Sequence, residues 1–549
     1  MSTECRLPNN LLILKAGKTR SSRLPTGLFE FHERHDTHLG SQFLIAAGRN
    51  LDLSSIITKE SDWSYSDLAI AAIETSIALQ ASPGFKPGAR VVVMLPNCFE
   101  YIAAFFGILL ADAVVVPVPP RMETKALERI IESTEATTVV ISSSTKRSVP
   151  FGEQIPTLSL TFNETFSSSS RPFPVPSGGG NDLAAIFFTS GSTGGPKGVM
   201  LSHRNLLSNA RSIQHYLEIN SQDRPLCVLP FYHAFGNSVL QSHLLAGATL
   251  ILDGSTVFPE TLINAITCHQ ATSLSAVPDL VRVLLERTSL GRTELPSLRY
   301  LAVAGGALQQ TLAIEVAKRI SPARLYLMYG QTEATARLAY VPPERFQCLP
   351  AGCIGQAVPG VNLEVVDENG RPVATGTIGE LRARGDNIML GYWQDKASTT
   401  EKMRDGWLLT GDLAETDDEG WIYHRGRQNA IVKIAGFRVH PADLEEFAVR
   451  QLSASEAVAV AYESPQVGTR LALFLKSTNV LTHAEIIARC RDGLPRHMVP
   501  SFIRLLDSLP LNSSLKIDRP LLTQIAEQES AVPGTWPDSV PSITKEVSP

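Results

Sequence analysis

No stretch of this chain carries the positive charge needed to hold nucleic acid by bulk electrostatics. Lys and Arg total 49 against 54 Asp and Glu, for a net charge of −5 with neutral His. Long apolar runs are also missing. The longest, 101–111, is stopped by Asp112 and falls well short of the roughly 20 residues a membrane helix needs. The apolar stretch 11–14 is too short for a signal-peptide core. Cysteine is scarce and scattered: seven residues, an odd number, with no CxxC pair, which argues against a disulfide framework or a zinc site and fits a reducing compartment. No repeat at solenoid or propeller spacing is present. These absences lead to the expectation of a soluble cytoplasmic protein with no membrane span and no nucleic-acid partner. What remains is ordinary globular material, 44% hydrophobic and 19% charged, and 549 residues are enough for two or more domains.

From residue 89 onward, short β-branched runs alternate with helical patterns. Strands are expected at 90–95, 114–118 and 137–142, with helices at 99–110 and 125–133 between them. A second series starts at 184 (AAIFFTS) and runs through strands at 226–229, 249–252, 273–277, 299–304 and 324–328. Its helices are expected at 202–217, 238–245, 260–269, 280–286 and 311–319. Continuous apolar strands alternating with helices imply parallel sheets covered on both faces, here as two sheets or one divided sheet. The Ser/Pro/Gly-rich stretch 167–181 reads as a linker between the two series. The fold class is therefore α/β. A large N-terminal domain spans 1–426, its last part (about 352–426) a β-rich subdomain punctuated by turn signals such as DENG at 367–370 and DDEG at 417–420. A hinge follows at 427–429, then a small mobile α+β C-terminal domain at 430–528, with helices at 442–450 and 483–492, and a loose Pro-containing tail at 529–549.

The strongest local signal is TSGSTGGPKGV at 189–199, directly after an apolar strand and before a helix. Hydroxyls and glycines at this density make a loop whose N–H and O–H groups can turn inward onto an anion, with Lys197 adding a fixed charge. It is not the Walker-type loop. Pro196 precedes the lysine and Gly198 follows it, so the hydroxyl that would hold Mg2+ there is missing.

This block resembles the signature of the ANL adenylate-forming superfamily, which includes acyl- and aryl-CoA synthetases, peptide-synthetase adenylation domains and firefly-type luciferases. Further blocks are similar and follow in order: PFYHAFG at 230–236, AGGAL at 304–308, YGQTEA at 329–334, TGD at 410–412, GR at 426–427, KIAGFRV at 433–439 and KID at 516–518. The likeness spans about residues 60–520 and is nearest to acyl-CoA and acyl-carrier-protein ligases. It implies an ATP-dependent acid–thiol ligase. An organic acid, fatty or aryl, attacks the α-phosphate of ATP to give an acyl-AMP and pyrophosphate. The pantetheine thiol of coenzyme A or of an acyl carrier protein then takes the acyl group. Two other outcomes stay open: an acyl-AMP ligase serving another acceptor, and a non-catalytic ATP-binding regulatory protein.

The resemblance also implies roles for particular residues. Thr189, Ser190, Gly191, Ser192, Thr193, Gly194 and Lys197 would cradle the outer phosphates, and Glu333 would hold Mg2+. Thr332 would donate to the α-phosphate and Tyr329 would pack against adenine. Gly305 and Gly306 would let adenine and acyl group pass close to the backbone, with Ala307 and Gly330 in the same nucleotide-binding blocks. Asp412 would accept the ribose hydroxyls beside Arg427. Lys516 would bridge the substrate carboxylate and the α-phosphate, and Gly436 would line the pantetheine tunnel. Two positions depart from the family pattern: Leu515 stands where a glycine usually precedes the lysine, and Asn429 replaces the usual hinge aspartate.

For the acid itself, His233 falls where the family places an aromatic residue or histidine beside the acyl carbonyl. No acid occupies Ala234 or Gly236, which disfavours an α-amino acid substrate, and Asp279 reads as a helix cap. The expected tunnel lining, Phe235, Val239, Ala276, Val303 and Ala304, is mostly apolar and suits a neutral aliphatic or aryl acid. Arg337 is out of place in such a lining; it contacts phosphate or a second acidic group, or pairs with Glu344, the last being favoured.

Overall fold

The computed structural model describes residues 11–16, 37–142, 156–162, 176–189, 196–350, 352–428, 432–434, 437–439, 441–452, 454–464, 468–477, 481–510 and 517–530. The chain forms two compact units: Met1–Thr410 with Ala414–His424, and Gly411–Leu413 with Arg425–Pro549.

In the first unit, the apolar runs form two sheets, but not one per series: the strand that opens the second series, Leu183–Thr189, joins the sheet of the first, and Leu11–Ala16, Thr157–Phe162 and Ser54–Thr58 are strands that neither series included. One runs in the order Leu11–Ala16, Thr157–Phe162, Thr138–Ser142, Arg90–Val93, Val114–Pro117, Leu183–Thr189, Lys197–Ser202 and Gly391–Tyr392. It is parallel as far as Leu183–Thr189 and antiparallel across its last three strands. The other sheet has a parallel centre of Arg324–Tyr329, Tyr300–Val303, Ser273–Ala276, Pro225–Leu226, Leu250–Leu252 and Ser54–Thr58. On one flank come Ala339–Val341, Cys353–Ala357, Ile422–Arg427, Trp407–Thr416, Gly379–Gly385 and Val361–Val366, the β-rich stretch expected from the turn signals. Buried on both faces, the parallel strands need apolar residues at every position, which is why they read as continuous runs.

Helices cover these sheets. Phe99–Leu110 buries every residue but Glu100, and packs so closely on Tyr65–Gln80 that a Cβ at Gly107 would lie 2.6 Å from the Cβ of Thr75. His203–Leu217 starts on a capping box in which the Ser202 hydroxyl accepts from the Asn205 N–H and the Asn205 side chain accepts from the Ser202 N–H.

Two expected boundaries move. The strand expected at 226–229 is only Pro225–Leu226, because the chain leaves the sheet to build the turn that carries His233. The helix expected from 238 begins at Ala234. Gly236 conceals that start in the sequence, yet it is required: a Cβ there would lie 2.2 Å from the Pro230 carbonyl oxygen.

In the second unit, Ala454–Ser464 pairs antiparallel with Gly468–Ser477, which pairs parallel with Phe502–Leu505. Helices Pro441–Gln451, His483–Gly493 and Arg519–Ser530 complete it, around cores that include Leu444, Leu473 and Ile486, and Phe474, Leu522 and Ala526. No helix among the described residues is long and apolar enough to cross a membrane.

Candidate active site

The first unit gathers its candidate residues at the carboxyl ends of neighbouring parallel strands, where open α/β sheets offer a crevice. Tyr300–Val303 runs into Ala304, Gly305, Gly306 and Ala307, and Gly305 takes φ +88°, a left-handed conformation that glycine adopts without strain. The adjacent strand Arg324–Tyr329 ends at Tyr329 and leads through Gly330 to Thr332 and Glu333. Gly330 has no room for a side chain, since a Cβ would lie 1.9 Å from the Ala336 carbonyl oxygen. Pro225–Leu226, two strands further on, leads to His233, which caps the helix Ala234–Leu245; its ring centroid lies 4.6 Å from that of Tyr232.

The phosphate-loop block sits on the other sheet of this unit. Leu183–Thr189 and Lys197–Ser202 are the two legs of an antiparallel pair in which Thr189 faces Lys197, and the Thr189 hydroxyl donates to the Lys197 carbonyl at 3.4 Å. Ser190, Gly191, Ser192, Thr193 and Gly194 lie outside the described residues. The Lys197 ammonium donates to the Ser398 hydroxyl at 2.7 Å and stands 5.2 Å above the ring of Tyr392. Tyr392 in turn donates its hydroxyl to Glu333 Oε1 at 2.8 Å. Burial, reinforced by the Glu333 carboxylate, pushes the Tyr392 phenol far above its ordinary range, so it stays a neutral donor. Phosphate-loop lysine and expected metal carboxylate thus flank one buried tyrosine, which the sequence did not single out.

The segment that carries Thr332 and Glu333 is held from below. Thr332–Ala334 is a single 3-10 turn followed by Thr335 at φ +64°, ψ −52°, a strained conformation for a β-branched residue. Buried Asn387 keeps it there: its amide donates to the carbonyls of Ala334 and Arg337 at 3.2 and 2.9 Å, and its own carbonyl accepts from the Thr335 hydroxyl at 2.6 Å. The Glu333 carbonyl accepts from the Met389 N–H. Strain maintained by dedicated hydrogen bonds is a mark of a functional segment. Asn387 too was missed, because GDN at 385–387 reads as an ordinary turn.

One expectation about the acid pocket needs correction. Arg337 does not pair with Glu344: Arg337 is 2% exposed, whereas Glu344 lies on the surface beyond the strand Ala339–Val341. The guanidinium instead stands 4.1 Å above the ring of Phe235, the residue expected to line the tunnel. Polar groups are also buried on the helix that carries Tyr216. Asn209 and Ser212, successive positions on one face of His203–Leu217, are buried with side-chain polar atoms that have no partner among the described residues, and the same holds for Arg337 Nε. Nothing in the sequence separates such residues from a solvated helix face. The remaining expected lining, Val239, Ala276, Val303 and Ala304, is buried, but Asp279 is not the helix cap it was expected to be: Val277 takes that position before Pro278–Arg287, and Asp279, inside the first turn, pairs with Arg282 at 3.3 Å.

In the second unit, Asp412 and Arg427 come together. Arg427 Nε donates to Asp412 Oδ1 at 3.0 Å, with Asp412 2% exposed and Arg427 66% exposed. An exposed partner makes this pair a weak source of stability; its effect is to orient a buried carboxylate. Asn429, Gly436 and Lys516 lie outside the described residues.

As for Mg2+, no group of three or more His, Cys, Asp or Glu among the described residues gathers as a cation cage. A single carboxylate such as Glu333, fixed by Tyr392, matches how Mg2+ is commonly bound, by one or two carboxylates plus phosphate oxygens and water.

Residues 44–393 match the family described as AMP-binding enzyme. A long-chain-fatty-acid–CoA ligase of Salmonella typhimurium is 30% identical over 486 residues, covering 80% of this chain and 86% of that protein. Among solved structures, ATP-bound MatB from Rhodopseudomonas palustris is similar with a TM-score of 0.79 at 24% identity, over 90% of this chain and 99% of that one. The o-succinylbenzoate CoA synthetase of Bacillus subtilis, in complex with its acyl-adenylate intermediate, gives 0.76 at 23% identity, over 88% and 97%.

Proposed function

This chain belongs to the AMP-binding enzymes of the adenylate-forming superfamily, and from that premise we propose how its residues carry out an ATP-dependent acid–CoA ligation. The observation that supports the reading most directly is the string Lys197–Tyr392–Glu333, which ties the phosphate-loop cation to the expected metal carboxylate through one buried phenol.

The first half-reaction brings a carboxylate against a triphosphate, and the repulsion between the two anions must be offset where charge builds up. Lys197 and the loop between Thr189 and Lys197 hold the outer phosphates as pyrophosphate departs. Thr332 donates to the α-phosphate while the Asn387 bonds keep its segment from relaxing. Mg2+, when bound at Glu333, supplies charge neutralisation for the phosphates. Tyr329 packs on the adenine, Gly305, Gly306 and Ala307 pass beside it, and Asp412 accepts from the ribose with Arg427 alongside. His233 borders the acyl carbonyl, and Lys516 is the cation that bridges carboxylate and α-phosphate. In the second half-reaction a thiol attacks the mixed anhydride and AMP leaves; Gly436 lines the approach of the pantetheine, and Asn429 serves as the pivot between the two steps.

Exchange of labelled pyrophosphate into ATP across a panel of fatty, aryl and dicarboxylic acids tests the first half. Thioester formation from the acids that pass, with coenzyme A and separately with acyl carrier proteins, tests the second and decides the acceptor. A protein that binds ATP yet exchanges pyrophosphate with no acid would overturn the reading.

A further inference from the structure

A charged guanidinium that is fully withdrawn from water is expensive unless something compensates it. Arg337 is 2% exposed, and no carboxylate among the described residues pairs with it. Its neighbours are the face of Phe235 at 4.1 Å, the Tyr216 hydroxyl, and a long contact of 3.4 Å from Nη1 to the Ala336 carbonyl; Nε has no partner. Tyr216 is fixed for this contact: its ring stacks on Tyr340 at 4.4 Å and its hydroxyl donates to Met328 Sδ at 3.1 Å, leaving the oxygen's lone pairs for the guanidinium.

The helix that carries Tyr216 repeats the pattern. Asn209, Ser212 and Tyr216 fall on successive turns of one helix face. The Asn209 amide nitrogen and oxygen and the Ser212 hydroxyl are buried and, among the described residues, unpartnered, as is Arg337 Nε. Buried polar groups are satisfied in the great majority of cases, so these orphans, on Arg337 and on the helix whose Tyr216 it meets, point to a missing polar partner. The location says what that partner belongs to. Phe235 is two residues from His233, at the expected acyl carbonyl, and packs in the cluster that contains Ala304, directly before Gly305.

We propose that Arg337, with Asn209 and Ser212, is the subsite for a second anionic group on the acid, so that this ligase selects dicarboxylic acids, or acids with an equivalent terminal anion, over plain monocarboxylic ones. The inference rests on the ligase reading above and adds the substrate class to it. The second carboxylate pairs with the guanidinium and accepts from the Ser212 hydroxyl and the Asn209 amide, and the Phe235 ring holds the guanidinium in place from its other side.

The test compares straight-chain dicarboxylic acids with the monocarboxylic acids of equal carbon number, by pyrophosphate exchange and by thioester formation with coenzyme A. It uses the full chain as wild type, Arg337→Met and Arg337→Lys. Wild type is expected to favour the best dicarboxylic acid over its monocarboxylic partner by about 10- to 100-fold in kcat/KM. Arg337→Met brings that ratio toward one, chiefly through KM for the dicarboxylic acid, and Arg337→Lys restores part of it. ATP-induced thermal shift confirms that each variant is folded. Should Arg337→Met fail to fold, Asn209→Leu with Ser212→Ala must lower the ratio instead. A wild type that prefers monocarboxylic acids, or a ratio that the variants leave unchanged, overturns the proposal while the ligase reading stands. Absence of exchange with either series overturns the ligase reading itself.

Discussion

The Tyr392 hydroxyl donates to Glu333 Oε1 at 2.8 Å while the other side of the same ring supports the Lys197 ammonium. One phenol therefore orients both the expected metal carboxylate and the phosphate-loop cation. Tyr392→Phe keeps the ring under Lys197 but frees the carboxylate. It is expected to weaken the apparent Mg2+ affinity about tenfold, read as the Mg2+ dependence of pyrophosphate exchange, with little change in thermal stability.

Asn387 works on the same segment from the opposite side. Asn387→Ala leaves the buried carbonyls of Ala334 and Arg337 without their donor and lets Thr335 relax from φ +64°. The expected cost is about 2 to 4 kcal/mol in urea denaturation, together with a fall in kcat larger than any rise in KM for ATP.

At Gly330 the constraint is steric. A methyl group would sit 1.9 Å from the Ala336 carbonyl oxygen, and that oxygen belongs to the backbone, so it cannot swing away. Gly330→Ala is expected to cost about 3 kcal/mol or more and to abolish exchange, measured by thermal unfolding and activity on the same preparation.

Asp412 is buried, and Arg427 engages its Oδ1. If it accepts from the ribose hydroxyls, Asp412→Asn raises KM for ATP about tenfold and erases discrimination against 2′-deoxy-ATP. Parallel kinetics with the two nucleotides measure this; a variant that discriminates as well as wild type would place the ribose elsewhere.

His243 gives a pH signature. Burial lowers it to about 4, against an ordinary value near 6.5, and its neutral ring donates from Nδ1 to the Val239 carbonyl at 2.8 Å and accepts from the Tyr300 hydroxyl at Nε2. Below pH 6.5 the unfolded chain takes up a proton that the folded one refuses. Stability is therefore complete above that pH and declines down to about pH 4, by about 3 kcal/mol from this residue. His203, also held low by burial, adds in the same direction. Urea midpoints at neutral and acid pH, for wild type and His243→Gln, are expected to show a shallower acid loss in the variant.

The elements that the sequence revealed are those whose whole surface faces a core. Phe99–Leu110 was legible to the residue because all its positions but one are apolar, and the parallel strands that were expected shifted at their ends, whereas Leu11–Ala16, Ser54–Thr58 and Thr157–Phe162 were not expected at all. Ordered motif blocks singled out Thr332, Glu333 and Asp412 because the chemistry proposed for them is tied to fixed spacing. Asn209, Ser212, Asn387 and Tyr392 could not be found that way. A polar residue on a helix, or an aromatic one after a turn, carries no mark that says whether water or protein surrounds it. Arg337 was noticed, but the pair favoured for it, with Glu344, does not form, because the acid lies on the surface beyond the strand Ala339–Val341.

Thr332, Glu333 and Arg337 share one short clamped segment, whereas Asn209 and Ser212 ride on a helix that carries none of the expected nucleotide contacts. Anyone redesigning this ligase for a different acid has two handles of unequal risk. On the proposed subsite, remodelling around position 337 touches the segment of Thr332 and Glu333 directly, while the helix at 209 and 212 meets it at one remove, through Asn205, whose amide donates to the Asp386 carbonyl beside Asn387.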